Sequence, residues 1–180
     1  MRYVIAITGA SGCKYGIRLL QELKGEKILI ISKVAKVIIP RETSYCVKDV
    51  EEMADVVFDD DNLLAPVSSG GYKFDAMIVA PCSVSSLAKM SNGLADTLIT
   101  RAALVALKES RKLILVIRET PKSAIMLENE LRLARCGACI LDANPGYYFG
   151  PSTVDDLINF IVGKCLDQLS IYHNLYEKWK

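Results

Sequence analysis

The chain has almost no excess of either charge: 22 Lys and Arg stand against 21 Asp and Glu, for a formal net charge of +1 at pH 7. It therefore lacks the broad positive field on which nucleic-acid and anionic-membrane binding usually rely, and its partners are expected to be small molecules or protein. No apolar run approaches the roughly 18 residues of a membrane span. The single histidine, His173, lies far along the chain, and the acidic triplet Asp59-Asp60-Asp61 has no fourth carboxylate at D-D-x-x-D spacing, so no metal site is supported. Six cysteines (Cys13, Cys46, Cys82, Cys136, Cys139, Cys165) follow no regular framework, which in a cytosolic setting means free thiols rather than staples. The apolar stretch in Met1 to Thr8 is too short for a signal peptide and runs into a glycine turn, so the expected location is the cytoplasm. Neither a linker, a repeat nor a low-complexity tract interrupts the 180 residues, which have room for one domain. The hydrophobic content, 51%, is rich for a small monomer and points to buried subunit interfaces.

What is present is an alternation of short β-branched runs with longer amphipathic stretches, the pattern of an α/β domain with a mainly parallel sheet. Strands are expected at Tyr3 to Ile7, Lys27 to Ile31, Ala76 to Ala80, Leu113 to Ile117 and Ala138 to Leu141, with a weaker one at Val56 to Phe58. Each strong one is nearly all apolar, as for strands covered on both faces. Helices are expected at Ser11 to Leu23, Val47 to Ala54, Ser83 to Met90, Asp96 to Lys108, Ser123 to Arg135 and Thr153 to Leu169.

In an open parallel sheet ligands bind beyond the carboxyl ends of the strands. Gly9-Ala10-Ser11-Gly12 follows the first strand, where backbone N–H groups and the Ser11 hydroxyl can face a phosphate at a helix N-terminus. Its spacing fits neither G-x-G-x-x-G nor G-x-x-x-x-G-K-[ST], and a tight turn with a Ser cap reads the same residues equally well. Ser32-Lys33 follows the second strand. Pro81-Cys82-Ser83-Val84-Ser85-Ser86 follows the third and offers three hydroxyls, where an N-cap needs one. Arg118-Glu119 follows the fourth, supplying a forked cation and a carboxylate able to move protons, or else a plain ion pair. Arg101 and Lys108, seven apart on a helix, fall on nearly one face, either two cations for one anion or a solvated surface. Tyr147-Tyr148 lies on a Pro- and Gly-bounded loop after the last strand, where it can cover a flat ligand or pack on the last helix. Tyr172, Tyr176 and Trp179, at i, i+4 and i+7, form an aromatic stripe expected to pack on a neighbouring subunit, Trp179 reaching that neighbour's pocket. Cys136-Gly137-Ala138-Cys139 is discounted as a redox motif because it follows a helix C-terminus, where the dipole opposes a thiolate.

Taken together these segments resemble the flavin prenyltransferases, the UbiX-like flavoproteins, nearly end to end. The carriers are Thr8-Gly9-Ala10-Ser11-Gly12 with Tyr15-Gly16, Pro81-Cys82-Ser83, Arg101-Ala102-Ala103 with Leu107-Lys108-Glu109, Arg118-Glu119-Thr120-Pro121, Tyr148 with Pro151, and Leu166-Asp167-Gln168-Leu169. The resemblance implies a single flavodoxin-like, Rossmann-like three-layer domain, assembled as a dodecamer with active sites shared between subunits. It implies prenylation of reduced FMN at N5 and C6 by dimethylallyl phosphate, without metal, for use by a partner UbiD-like decarboxylase. By the same resemblance Gly9, Ala10, Ser11, Ser32, Ser83, Val84, Ser85, Ser86 and Arg118 hold FMN. Glu119, Lys108, Glu42 and Tyr148 carry the chemistry, with Tyr148, Lys164, Arg101, Lys108 and Trp179 around the prenyl phosphate. Lys and Arg would meet the charge growing on the leaving phosphate, and the aromatic faces the allylic cation.

The chain departs from the family at three places: Ser86 stands where Thr is usual, Lys164 where Arg is frequent, and Gly146-Tyr147 where Ala-Phe is frequent. Lys keeps the charge of Arg but not its fork. Two other activities fit the same class of fold, a flavin-dependent decarboxylase of a cysteinyl substrate and a non-catalytic flavin carrier. The first normally has a histidine after the early helix and a P-x-M-N block, and this chain has neither.

Overall fold

The β-branched runs become six strands of one parallel sheet in the computed structural model, which describes residues 1–179. They are β1 (Arg2–Ile7), β2 (Glu26–Ile31), β3 (Val56–Asp59), β4 (Ala76–Cys82), β5 (Lys112–Ile117) and β6 (Cys139–Asp142), in the order β3-β2-β1-β4-β5-β6. Every neighbouring pair is parallel. The weak run at Val56 to Phe58 is thus a true edge strand, like β6 shorter and less buried than the four inner strands because only one neighbour pairs with it.

Side chains alternate across the strands and feed two apolar cores. Ile5, Ile7, Leu29, Ile31, Ile78 and Val116 pack on one face under α1 (Cys13–Glu22), α2 (Lys33–Glu42) and α7 (Val154–Gln168). Val4, Ala6, Ile28, Met77, Val79 and Leu115 pack on the other under α4 (Val84–Ser91), α5 (Leu98–Lys108) and α6 (Ala124–Arg135). The result is a three-layer sandwich, and α3 (Val47–Glu51) is shorter than the Val47 to Ala54 stretch the sequence predicts.

Helix α2 has no counterpart among the expected helices. Pro40 masks it in the sequence, but the proline falls in the last turn, where its missing N–H costs the helix one bond and little helix remains to be kinked. Its start is set by Ser32, whose Oγ accepts from Ala35 N at 3.2 Å. The Cys136–Cys139 pair spans the end of α6 and the start of β6, with Cys136 exposed and the Cys139 thiol pushed up by burial, unlike a reactive thiolate.

Candidate active site

From β1 the chain winds outward through β2 to β3, and from β4 it winds the other way to β6, so the order reverses between β1 and β4. Helix α1 leaves β1 onto one face and α4 leaves β4 onto the other, which opens a crevice at their carboxyl ends. Thr8, buried at the tip of β1, fastens its two sides: its Oγ1 donates to Pro81 O at 2.7 Å and accepts from Ser83 N at 2.8 Å. Ser83 Oγ then accepts from Ser86 N at 3.3 Å and donates to Ser86 Oγ at 3.0 Å. Ser32 and Ser83 are therefore true helix caps, while Ser85 remains exposed at the rim.

Gly9, Ser32, Ser83, Val84, Ser85 and Ser86 line one cleft of about 540 Å³. The starts of α2, α4 and α5 border it, so the positive ends of these helices face one space. Its size lies within the roughly 300–1,000 Å³ of cofactor pockets. Gly16 lets the neighbouring helix lie flat on the sheet, since a Cβ there would stand 2.4 Å from Ala80 O and 2.7 Å from Ile7 Cγ1. Sequence reasoning missed Thr97 and Thr100, which line the far wall and cap α5 reciprocally. Their Thr-x-x-Thr spacing before an apolar run was the available signal.

The acidic triplet has structural partners. Asp59 pairs with Lys36 at 3.0 Å and Asp61 with Lys33 at 3.7 Å, while Asp60 Oδ1 accepts from Ile99 N at 2.9 Å at the start of α5. Among the described residues no three His, Cys, Asp or Glu side chains gather as a metal site.

The glycine loop itself is arranged differently from the expectation. Gly12 takes φ 101°, a left-handed conformation that suits glycine, and its N–H donates to Glu42 Oε2 at 2.7 Å. Cys13 N donates to the same oxygen at 3.2 Å. The anion at the start of α1 is thus a carboxylate of this chain, delivered by the end of the unforeseen α2, and Ala10 and Ser11 do not line the cleft. Burial works against the Glu42 carboxylate, yet hydrogen bonds from Ser11, Gly12 and Cys13 and the Arg118 charge hold it below its ordinary 4.5. Arg118 Nε donates to Ser11 O at 3.2 Å, tying the end of β5 to the loop.

Arg118 and Glu119 also line a second hollow, of about 450 Å³, with Thr120, Lys122, Asp142 and Asn144. Glu119 Oε1 accepts from Thr120 N at 3.0 Å. Tyr148 lies four residues beyond Asn144 in an aromatic group with Phe149, Phe160 and Trp179, the last edge-on with ring centres 5.4 Å apart. Lys164 Nζ stands 5.3 Å over the Phe160 ring and 5.4 Å over that of Tyr176.

Two expectations change here. The tail after α7 is not helical, so Tyr172, Tyr176 and Trp179 form no stripe: Tyr176 is buried on α7 of its own chain while Tyr172 and Trp179 stay exposed. And Arg101 and Lys108 share a face, but not that of the crevice. Arg101 Nε donates to Ser68 O at 2.9 Å, and Lys108 pairs with Glu109 at 2.6 Å. Helix α5 ends just before β5 begins, whereas Glu119 follows its end, and six strand residues place these two positions about 20 Å apart along the strand. Within one protomer the two cations do not join the cleft.

This doubly wound sheet, with a polar cleft ringed by helix N-termini at its switch point, defines a nucleotide-type binding protein, and residues 1–166 match the Flavoprotein family model. A flavin prenyltransferase UbiX of Thermoplasma acidophilum is 42% identical over 180 residues, spanning 99% of this chain and 100% of that one. The crystal structure of AnUbiX in complex with FMN and dimethylallyl pyrophosphate superposes with a TM-score of 0.97 at 42% identity, covering 99% of this chain and 97% of that one. A dodecameric FMN-dependent UbiX-like decarboxylase from Escherichia coli gives the same TM-score at 41% identity, with both chains fully covered. The chain belongs to the UbiX flavin prenyltransferase family.

Proposed function

We propose that this chain transfers a dimethylallyl group from dimethylallyl phosphate to N5 and C6 of reduced FMN, releasing phosphate. The observation that carries the reading is the convergence of Gly9, Ser32 and Ser83 to Ser86 on one cleft, with Arg118 tying the neighbouring Arg-Glu pair to the glycine loop. That cleft fits a flavin phosphate: hydroxyls, backbone N–H groups and helix dipoles face it, and the carboxylates on its wall are already engaged, Asp61 with Lys33, Asp96 with Lys89 and Asp60 with Ile99 N.

When bound, reduced flavin would supply electron-rich N5 and C6 positions for the two ends of the allyl unit, N5 for the carbon that loses phosphate and C6 for the carbon bearing the methyl groups. Ser32 and the Ser83 to Ser86 turn hold it, and Arg118 sits at its edge beside Glu42. Cations then serve the oxygen that leaves with phosphate, where charge grows as the C–O bond breaks. Lys164 supplies one; Arg101 and Lys108 supply others from an adjacent subunit, because in their own chain Arg101 is turned toward Ser68 and α5 carries Lys108 away from the cleft. The dodecamer of the Escherichia coli relative provides such neighbours. Tyr148 and Trp179 face the allylic group, whose positive charge their rings attract. Glu119 moves the proton between the C6 position and phosphate as the ring closes. The product would serve a UbiD-like decarboxylase in the cytoplasm. Among the described residues no helix is long and apolar enough to cross a membrane.

The test is anaerobic incubation with reduced FMN and dimethylallyl phosphate, followed by mass spectrometry of the extracted flavin and a phosphate assay. Flavin heavier by one five-carbon unit is expected, and Glu119→Gln should keep FMN but turn over at least about 100-fold more slowly. Unmodified flavin after long incubation would identify a carrier instead.

A further inference from the structure

The C-terminal tail is held by a device on α7 that the reaction as described does not use. Gly163 and Asp167 lie one helical turn apart on α7. A Cβ on Gly163 would stand 2.5 Å from Tyr176 Cε1 and 2.7 Å from His173 Cε1, so the tail rests directly on helix backbone at a point only glycine leaves open. One turn on, the Asp167 carboxylate gathers three tail groups: His173 Nε2 at 3.2 Å, Tyr176 OH at 3.0 Å and Lys178 Nζ at 2.7 Å. Leu175 N donates to His173 Nδ1 at 3.2 Å, which makes Nε2 the nitrogen that carries the proton to Asp167. The His173 side chain is only 2% exposed.

The ends of this arrangement differ sharply. The clamp's two rings, His173 and Tyr176, are buried and Asp167 is half-buried, while Lys178 reaches solvent and Trp179, the residue the clamp presents, is 77% exposed and meets Tyr148 edge-on. Between them, with Phe149, Glu177 and Lys178, lies an open hollow of about 290 Å³. A tail bound for stability alone would bury its largest apolar ring. Here Asp167 is committed to three tail groups, and the largest ring, Trp179, is held at the surface next to Tyr148. Tyr176, gripped by Asp167, in turn underlies Lys164 and meets the Phe160 ring at a 45° tilt, centres 4.8 Å apart.

We propose that Gly163 and Asp167 are positioning residues, forming a seat that fixes the tail so that Trp179, Tyr148 and Lys164 face the prenyl phosphate together. The inference rests on the prenyl-transfer reading for the identity of that ligand, but the seat itself is tested without it. Trp179 is the chain's single tryptophan, so indole emission of the assembled, FMN-loaded protein reports the tail directly. Asp167→Asn and Gly163→Ala should both red-shift that emission and increase its quenching by iodide. In steady-state assays both should raise KM for dimethylallyl phosphate about tenfold, with FMN affinity within about twofold of the parent, the pattern of a lost substrate-side contact. Tyr176→Phe, which keeps the ring and removes one clamp bond, should move both readouts in the same direction by about a third as much, and it stands in should either stronger variant fail to assemble. Unchanged emission in the variants overturns the seat. Shifted emission with unchanged KM overturns the positioning role, as does a joint loss of FMN binding, KM and assembly. If the parent protein makes no prenylated flavin, the emission arm still decides the seat, and the failure belongs to the prenyl-transfer reading.

Discussion

On the proposed reading, the flavin side of the crevice and its prenyl-phosphate side are built by different means. Gly9, Ser32 and Ser83 sit at the junctions where strands feed helices, and each is fixed by bonds spanning a few residues or by one neighbouring strand. These residues line one cleft within the protomer. On the other side, Lys164 of α7 and Tyr148 are met by a tail folded back over that helix, through Tyr176 and Trp179, and Arg101 and Lys108 bond elsewhere. A scaffold that needs only local turns makes a cofactor cradle, whereas the half that must close around a reacting group draws on distant segments and other copies of the chain.

The largest effect that would sharpen this contrast comes from the local half. Gly16→Val places a side chain where even a Cβ meets the Ala80 carbonyl, so α1 must lift from the sheet. A loss of about 3 kcal/mol or more in urea unfolding, together with lost FMN binding, is expected. A mild variant that still bound FMN would show the cradle to be less rigid than its geometry.

Next, Lys108→Ala should leave FMN binding intact and lower turnover about 100-fold, as for loss of one charge-stabilising group. Mixed with the Glu119→Gln protein and reassembled, it should regain activity, because some sites then combine an intact Lys108 from one subunit with an intact Glu119 from another. No recovery on mixing would break the comparison by placing both residues in the same protomer's site.

The smallest effect concerns Glu42. Its carboxylate is held below 4.5 in the folded chain, so the stability it contributes is present above that pH and is lost as pH falls through its folded value. Acid titration of the urea midpoint should therefore drop less steeply in Glu42→Gln than in the parent, with the difference confined to the acid side. Parallel curves would mean that the Glu42 contact with Gly12 and Cys13 does not persist in solution.

Most of the sheet was legible because its strands are short, nearly all apolar and bounded by turn residues, so even Val56 to Phe58 left a trace. Helix α2 was not, since Pro40 argues against a helix until one sees that it falls in the last turn. The same omission hid the arrangement at the glycine loop: without α2, nothing in the sequence says that Glu42 is carried back to Gly12 across thirty residues. The tail misled for a related reason. Aromatics at i, i+4 and i+7 imply a stripe only if the segment is helical, and Asp167 turns it into a clamp instead.

The order of residues alone determined the layered α/β class, the polar strand ends and the set of groups available for chemistry, because periodicity and turn preference act over a few bonds. Which of those groups meet was decided only by tertiary structure. The reversal of strand order opens the crevice, a carboxylate from α2 fills the start of α1, and the antiparallel run of α5 carries Lys108 to the far edge. Each of these depends on where segments distant in the chain come to lie, which local sequence does not encode.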